Sequence, residues 1–185
     1  MSATTETLYG NIDTALFSRF SQIKLLVCDV DGVFSDGNIY LGNNGEELKG
    51  FNTKDGYGIK SLDSCGVDVA VITGRRSTIV ENRMNSLGVK HLVQGRVDKD
   101  SAIKEIMALC GVSKHEVASV GDDMPDIGMF ANSAIGIAVA DAHPFVKQKA
   151  DFVTLTKGGK GAVREVCDIL LQSKGSLESI HGASV

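Results

Sequence analysis

Two acids stand one residue apart at the end of an apolar run. In "IKLLVCDVDGVFSDG", Asp29 and Asp31 follow residues 23–28, and Gly32 comes next. One carboxylate can attack an electrophile as a covalent nucleophile. A second, slightly offset, can give a proton to the leaving oxygen and later take one from water. Strand side chains alternate faces, so both acids would point the same way if both were extended. The plainer reading is that Asp and Gly end the strand and open a turn. Three further stations carry comparable side chains. "TGRR" holds Thr73, Gly74 and Arg75, "RVDKDSA" places Lys99 at a helix start, and "GDDMPD" holds Asp122, Asp123 and Asp126.

Each station is weak alone; the signal is their joint placement at one edge of the sheet. Two like charges ~4 Å apart at an effective dielectric of ~20 repel by about 4 kcal/mol. Carboxylates from several strand ends therefore need a positive group among them. The acidic candidates are oxygen ligands, which favours Mg²⁺ over Zn²⁺. Thr73, Lys99 and turn amides opposite such an ion suit a phosphoryl group. There is no G-x-x-x-x-G-K-[ST] nucleotide loop. "KGGKGAVRE" has glycines before a helix in a spacing that matches no phosphate loop, so it reads as a turn and a helix start.

The elements that must position these residues follow from periodicity. "IKLLVC", "VDVAVIT", "KHLVQ", "EVASVG", "AIGIAV" and "DFVTL" read as short strands. "DGYGIKSLDSCG", "RSTIVENRMNSLG", "DKDSAIKEIMALCG", "DMPDIGMFANS" and residues 160–172 read as helices. The alternation predicts an α/β fold, a Rossmann-like parallel sheet with helices on both faces. The near-continuous apolar strands agree, because such a sheet is buried on both sides. In that architecture ligands bind beyond the carboxyl ends of the strands, where all four stations fall.

One segment breaks the alternation. "DGNIYLGNNGEELKGFN" has a turn signal, Asn43-Asn44-Gly45, between extended pieces 38–41 and 46–51. It predicts a β-hairpin at about 36–52 projecting from the sheet edge. A lone hairpin is marginal in water. Ile39, Tyr40, Leu41, Leu48 and Phe51 must therefore pack on their own domain or on the same hairpin of another subunit.

The 185 residues fit a main domain over 21–174, an N-terminal segment 1–20 and a flexible tail 175–185. The net charge of −4 argues against a general nucleic-acid binder. The four scattered cysteines form no C-x-x-C pair, and Cys28 and Cys167 lie in apolar runs as small buried hydrophobes. Without a secretory signal or an apolar run of membrane-spanning length, the chain reads as cytoplasmic.

Taken in order, "DVDGV", "VITGR", Lys99 and "GDDMPD" resemble the haloacid dehalogenase superfamily of phosphatases over about 25–171. The resemblance implies Asp29 as nucleophile, Asp31 as general acid/base, and Thr73 and Lys99 as phosphate binders. It implies Asp122 as the Mg²⁺ ligand, with the Asp29 carboxylate and the Asp31 main-chain carbonyl, and Asp123 and Asp126 as supporting residues.

The hairpin in place of a cap domain, with "FNTKDGYGIK", "VADAHP" and "GGKGAVREVCD", is similar to the 3-deoxy-D-manno-octulosonate 8-phosphate (KDO 8-phosphate) phosphatase family. That resemblance implies a Mg²⁺-dependent homotetramer acting in lipopolysaccharide precursor synthesis. Its hairpins would assemble centrally, and neighbouring subunits would close each active site. Arg75, after "TG", matches the octulosonate enzymes, whereas related nonulosonate 9-phosphate phosphatases carry Glu there. Gly74 would line the substrate site with it. Arg83 matches a residue reaching a neighbour's site toward the sugar carboxylate; read bare, it is a solvated helix residue. The alternatives are a nonulosonate 9-phosphate phosphatase, a phospho-acceptor receiver domain, and an inactive domain kept for assembly. A receiver carries its acceptor Asp on a later strand than its acidic pair, whereas here the D-x-D is on the first predicted strand.

Overall fold

The computed structural model describes residues 3–179. Its first elements have no counterpart in the sequence pattern. β1 (Thr4–Thr7) and β2 (Gly10–Asp13) pair antiparallel, and α1 (Thr14–Ser21) follows directly. Asp13 caps α1, with the Ala15 and Leu16 amides donating to its carboxylate at 2.9 and 3.1 Å. The strands read TTET and GNID and carry little apolar alternation, so periodicity passes over them.

β3 (Leu25–Cys28) is buried along its whole length. The other chain elements are β4 (Tyr40–Leu41), β5 (Glu47–Leu48), α2 (Thr53–Ser61), β6 (Asp68–Thr73), α3 (Thr78–Ser86), β7 (His91–Gln94) and α4 (Lys99–Cys110). They continue with β8 (Val117–Gly121), α5 (Ile127–Ala131), β9 (Ile135–Ala138), α6 (Pro144–Lys149), β10 (Phe152–Val153) and α7 (Ala162–Ser173). Six strands form one parallel sheet in the order β10-β9-β8-β3-β6-β7. The fold is the predicted Rossmann-like α/β type.

Alternation along β3 divides the core into two layers. Leu26 and Cys28 join the side covered by α7, through Val163, Val166, Cys167 and Leu170. Leu25 and Val27 join the other side, against Ala102, Ile103 and Ile106 of α4 and Met129 of α5. From β3 the chain builds outward through β6 and β7, then crosses to the opposite side for β8, β9 and β10. The strand order therefore reverses at β3, and the crevice between β6, β3 and β8 is the topological switch point.

One predicted helix differs in detail, and one helix is added. "DMPDIGMFANS" is a 3₁₀ turn, Met124–Asp126, followed by the five-residue α5. Asp123 and Asp126 cap that turn reciprocally and Pro125 sits inside it, so local capping sets its form. α6 is an addition to the predicted elements; its six residues are too few for a helical period to show. The tail begins with a short 3₁₀ turn, Leu177–Ser179, and Leu177 packs against the core. Residues 180–185 of the tail lie outside the described residues. Among the described residues no helix is long and apolar enough to cross a membrane.

The hairpin is real but short. Its ladder is two pairs, Tyr40↔Leu48 and Leu41↔Glu47, and Gly42 N donates to Glu46 O at 2.8 Å across the turn. Phe51 packs against the core, but Tyr40, Leu41 and Leu48 are 52, 74 and 65% exposed. Packing on its own domain, one of the two expectations for the hairpin, fails for these three.

Candidate active site

The first strand of the central sheet does not run through both acids. β3 ends at Cys28, and Asp29 N makes one more ladder bond, donating to Val120 O at 3.0 Å. The chain then turns tightly, with the amides of Val33, Phe34 and Ser35 all donating to Val30 O. Asp29 and Asp31 thus reach the same cleft through a turn, not through strand alternation. Gly32 is required in that turn. Its φ is +87°, and a Cβ there would lie 2.0 Å from Asp122 Oδ2.

The cleft at the carboxyl ends of β3, β6 and β8 encloses about 350 Å³. Its walls include Asp29, Asp31, Thr73, Gly74, Arg75, Lys99, Asp122, Asp123 and Asp126. Every predicted site residue except Arg83 is there. Arg83 lies on α3 against α2, where a Cβ on Gly56 would be 2.4 Å from its guanidinium.

Lys99 is the hub. It is the first residue of α4, its side chain is 4% exposed, and its Nζ lies 2.8 Å from Asp29 Oδ1 and 2.6 Å from Asp126 Oδ1. Burial alone would lower its pKa, but the Asp29 and Asp126 carboxylates outweigh that and hold it above the usual lysine value. Asp126 supports the loop as well, with Asp122 N and Asp123 N donating to its Oδ2 at 2.8 and 3.1 Å. Both its oxygens are therefore engaged. Asp123 accepts from Met124 N at 2.8 Å and holds the same turn. Thr73 closes β6 and is buried, its Oγ1 accepting from Arg75 N at 3.4 Å.

Three carboxylate oxygens, one each from Asp29, Asp122 and Asp126, lie within 4.8 Å of one another. Burial first, then the Asp126 and Asp29 charges, push the Asp122 carboxyl up to about 8. Burial and Asp126 push Asp29 upward too, against the pull of Lys99. Asp122 Oδ1 is buried with no hydrogen-bond partner among the described residues. An orphaned, acid-crowded carboxylate oxygen beside a second buried carboxylate fits a hard divalent cation. Because both Asp126 oxygens are engaged by Lys99 and two amides, Asp29 and Asp122 are the carboxylates that could hold such an ion.

Two loops brace this floor from behind. Asp141 accepts from Gly158 N at 2.9 Å, and Gly159 N donates to Val33 O at 2.9 Å. The pair Gly158-Gly159 thus lies flat against the turn bearing Asp31. His143 N donates to Asp122 O at 2.7 Å and fixes the loop after β8. Read from the sequence, "KGGKG" is only a turn and a helix start. Its adjacent glycines are the available signal of close backbone approach.

Sequence reasoning also misses Glu47 and Lys49. Lys49 Nζ pairs with Asp31 Oδ1, and Glu47 Oε2 lies 3.6 Å from an Arg75 guanidinium nitrogen. Their signal is spacing: residues two apart on a strand share a face.

The model for haloacid dehalogenase-like hydrolases matches residues 91–166. A 3-deoxy-D-manno-octulosonate 8-phosphate phosphatase, KdsC, of Yersinia pestis is 49% identical over 97% of this chain and 96% of its own length. The chain belongs to the KDO 8-phosphate phosphatase family. It is accordingly a phosphatase of the haloacid dehalogenase-like type. A crystal structure of the Yersinia pestis phosphatase superposes with a TM-score of 0.97 at 49% identity, covering 100% of both chains. A family structure from Moraxella catarrhalis, in complex with magnesium ion, phosphate ion and KDO, gives 0.87 at 35% identity over 89% of this chain and 95% of that one.

Proposed function

We propose that this chain hydrolyses KDO 8-phosphate to KDO and inorganic phosphate, with Mg²⁺, through an aspartyl-phosphate on Asp29. The observation that carries it is the convergence of Asp29, Asp31, Thr73, Lys99 and Asp122 on one cleft with Arg75 at its rim. When bound by the Asp29 and Asp122 carboxylates and the Asp31 main-chain carbonyl, Mg²⁺ supplies positive charge that offsets phosphoryl negative charge.

Asp29 Oδ attacks phosphorus, and the bond from phosphorus to the sugar oxygen breaks. Asp31 gives its proton to that oxygen, so the sugar leaves as an alcohol. Asp31 then takes a proton from water, whose oxygen attacks phosphorus. The bond from Asp29 to phosphorus breaks and inorganic phosphate leaves. Lys99 holds Asp29 in place and, with Thr73, stabilises the transferring group's charge. Gly74 lets the backbone lie close to the substrate, and Arg75 faces its sugar.

The exposed apolar face of the hairpin supports a homotetramer in which hairpins pack together and Arg83 serves a neighbouring site. Residues 21–174 would form the phosphatase domain, acting in the cytoplasm on lipopolysaccharide precursors. The test is phosphate release by the purified protein from KDO 8-phosphate and from a nonulosonate 9-phosphate, each with Mg²⁺. Faster turnover of KDO 8-phosphate and an inert Asp29→Ala variant are expected. Preference for the nonulosonate would overturn the substrate, and an active Asp29→Ala would overturn the mechanism.

A further inference from the structure

The hairpin is built inside out. Along β5 and the residue after it, Leu48 points to solvent while Glu47 and Lys49 turn inward, and the Lys49 side chain is 0% exposed. A buried ammonium is costly unless paired. Lys49 Nζ donates to Asp31 Oδ1 and lies 3.8 Å from Glu47 Oε1. Glu47 Oε2 in turn lies 3.6 Å from Arg75. An alternating chain of charges, Asp31, Lys49, Glu47 and Arg75, therefore runs from the cleft floor to its rim.

A fastening for the hairpin would be the simplest role for these pairs. Two features go beyond it. One end of the chain lands on the carboxylate assigned to proton transfer. The other occupies the guanidinium assigned to the sugar, through a contact long enough to be exchanged, while Glu47 Oε1 stays buried without a hydrogen bond. Lys49 has three donors and can hold Asp31 and Glu47 together.

We propose that Lys49 is a positioning residue for Asp31, and that Glu47 holds Arg75 in the free enzyme until an anionic group on the sugar takes its place. This rests on the phosphatase reading of the cleft. Substrate entry then frees Glu47 toward Lys49, which tightens the hairpin over a correctly charged sugar phosphate. A phosphate ester without a second anionic group leaves Glu47 on Arg75.

The experiment compares KDO 8-phosphate with p-nitrophenyl phosphate in the full-length protein. Lys49→Met is expected to lower kcat by about 10- to 100-fold on both substrates with KM nearly unchanged, as for a misplaced proton-transfer group. Lys49→Arg should restore most of it. Glu47→Gln is expected to lower KM for KDO 8-phosphate by about two- to five-fold, the range of an exposed ion pair, and not for p-nitrophenyl phosphate. Wild-type kcat in Lys49→Met, no rescue by arginine, or an equal KM change on both substrates in Glu47→Gln would overturn the proposal. An active Asp29→Ala would instead overturn the phosphatase reading beneath it.

Discussion

Gly158 faces the carbonyl oxygen of Gly32 so closely that a Cβ on Gly158 would lie 1.7 Å from it. The obstacle is backbone, which cannot swing aside. Gly158→Ala must push back either the turn bearing Asp31 or the loop before α7. It is expected to cost about 1–3 kcal/mol in urea unfolding, as overpacking does, and to lower kcat because Asp31 moves. Gly50→Ala, with nothing near the added carbon, should stay within about 0.5 kcal/mol.

Asp31→Asn keeps the main-chain carbonyl and the side chain's shape but cannot carry the proton. Its kcat should fall by roughly 10²–10⁴-fold while Mg²⁺ still binds. Steady-state kinetics beside calorimetric Mg²⁺ titration checks both halves. Loss of Mg²⁺ binding would move Asp31 from proton transfer to ligation through its side chain.

Mg²⁺ affinity should depend on pH. With its pKa raised to about 8, Asp122 is largely protonated below that pH and must lose the proton to bind a cation. Affinity is expected to rise from pH 6 to 8 and level off above. Proton release on binding, read by calorimetry in buffers of different ionisation enthalpy, measures the same event. Asp122→Asn should bind more weakly and lose the pH dependence.

Asp55 makes a separate prediction about stability. It is buried beneath the start of α7, where Arg164 N donates to its Oδ1 at 2.8 Å, and burial pushes its carboxyl up to about 6. The folded state therefore keeps this proton at a higher pH than the unfolded chain does. Its contribution is fully present below about pH 4 and is lost as pH rises through about 6. From the two pKa values the loss is at most about 3 kcal/mol. Asp55→Asn, which keeps the acceptor for Arg164, should flatten the change in unfolding free energy between pH 4 and 6.5.

Leu41 and Leu48 test the assembly. Leu48→Glu is expected to shift light scattering from a tetramer toward the 19.6 kDa protomer. It should also lower activity if Arg83 serves a neighbouring site. A wild-type protein that is already monomeric and fully active would end both proposals.

The central sheet is legible in the sequence because its inner strands, β3, β6, β8 and β9, are buried on both faces and carry no other message. "IKLLVC" and "VDVAVIT" leave no helical reading, and their ends locate Asp29, Asp31 and Thr73. What escapes is set by contact, not by period. The β1–β2 hairpin is polar and is held by α7, through Tyr9 Oη donating to Asp168 at 2.7 Å. Lys49 and Glu47 lie at a strand with a two-pair ladder, and which way it faces depends on the cleft beneath it. Gly158 matters through Gly32, and no local pattern announces a partner so distant in sequence.

The two carboxylates proposed for the cation, Asp29 and Asp122, lie far apart in the sequence and follow different strands, β3 and β8. Asp29 leaves the ribosome early, and Asp122 follows only after β6, β7 and α4 have been made. A nascent chain therefore has no place to capture the ion until β8 has docked beside β3. Cation binding would thus report that β8 has paired with β3, with β9 and β10 still to be added at the sheet's edge.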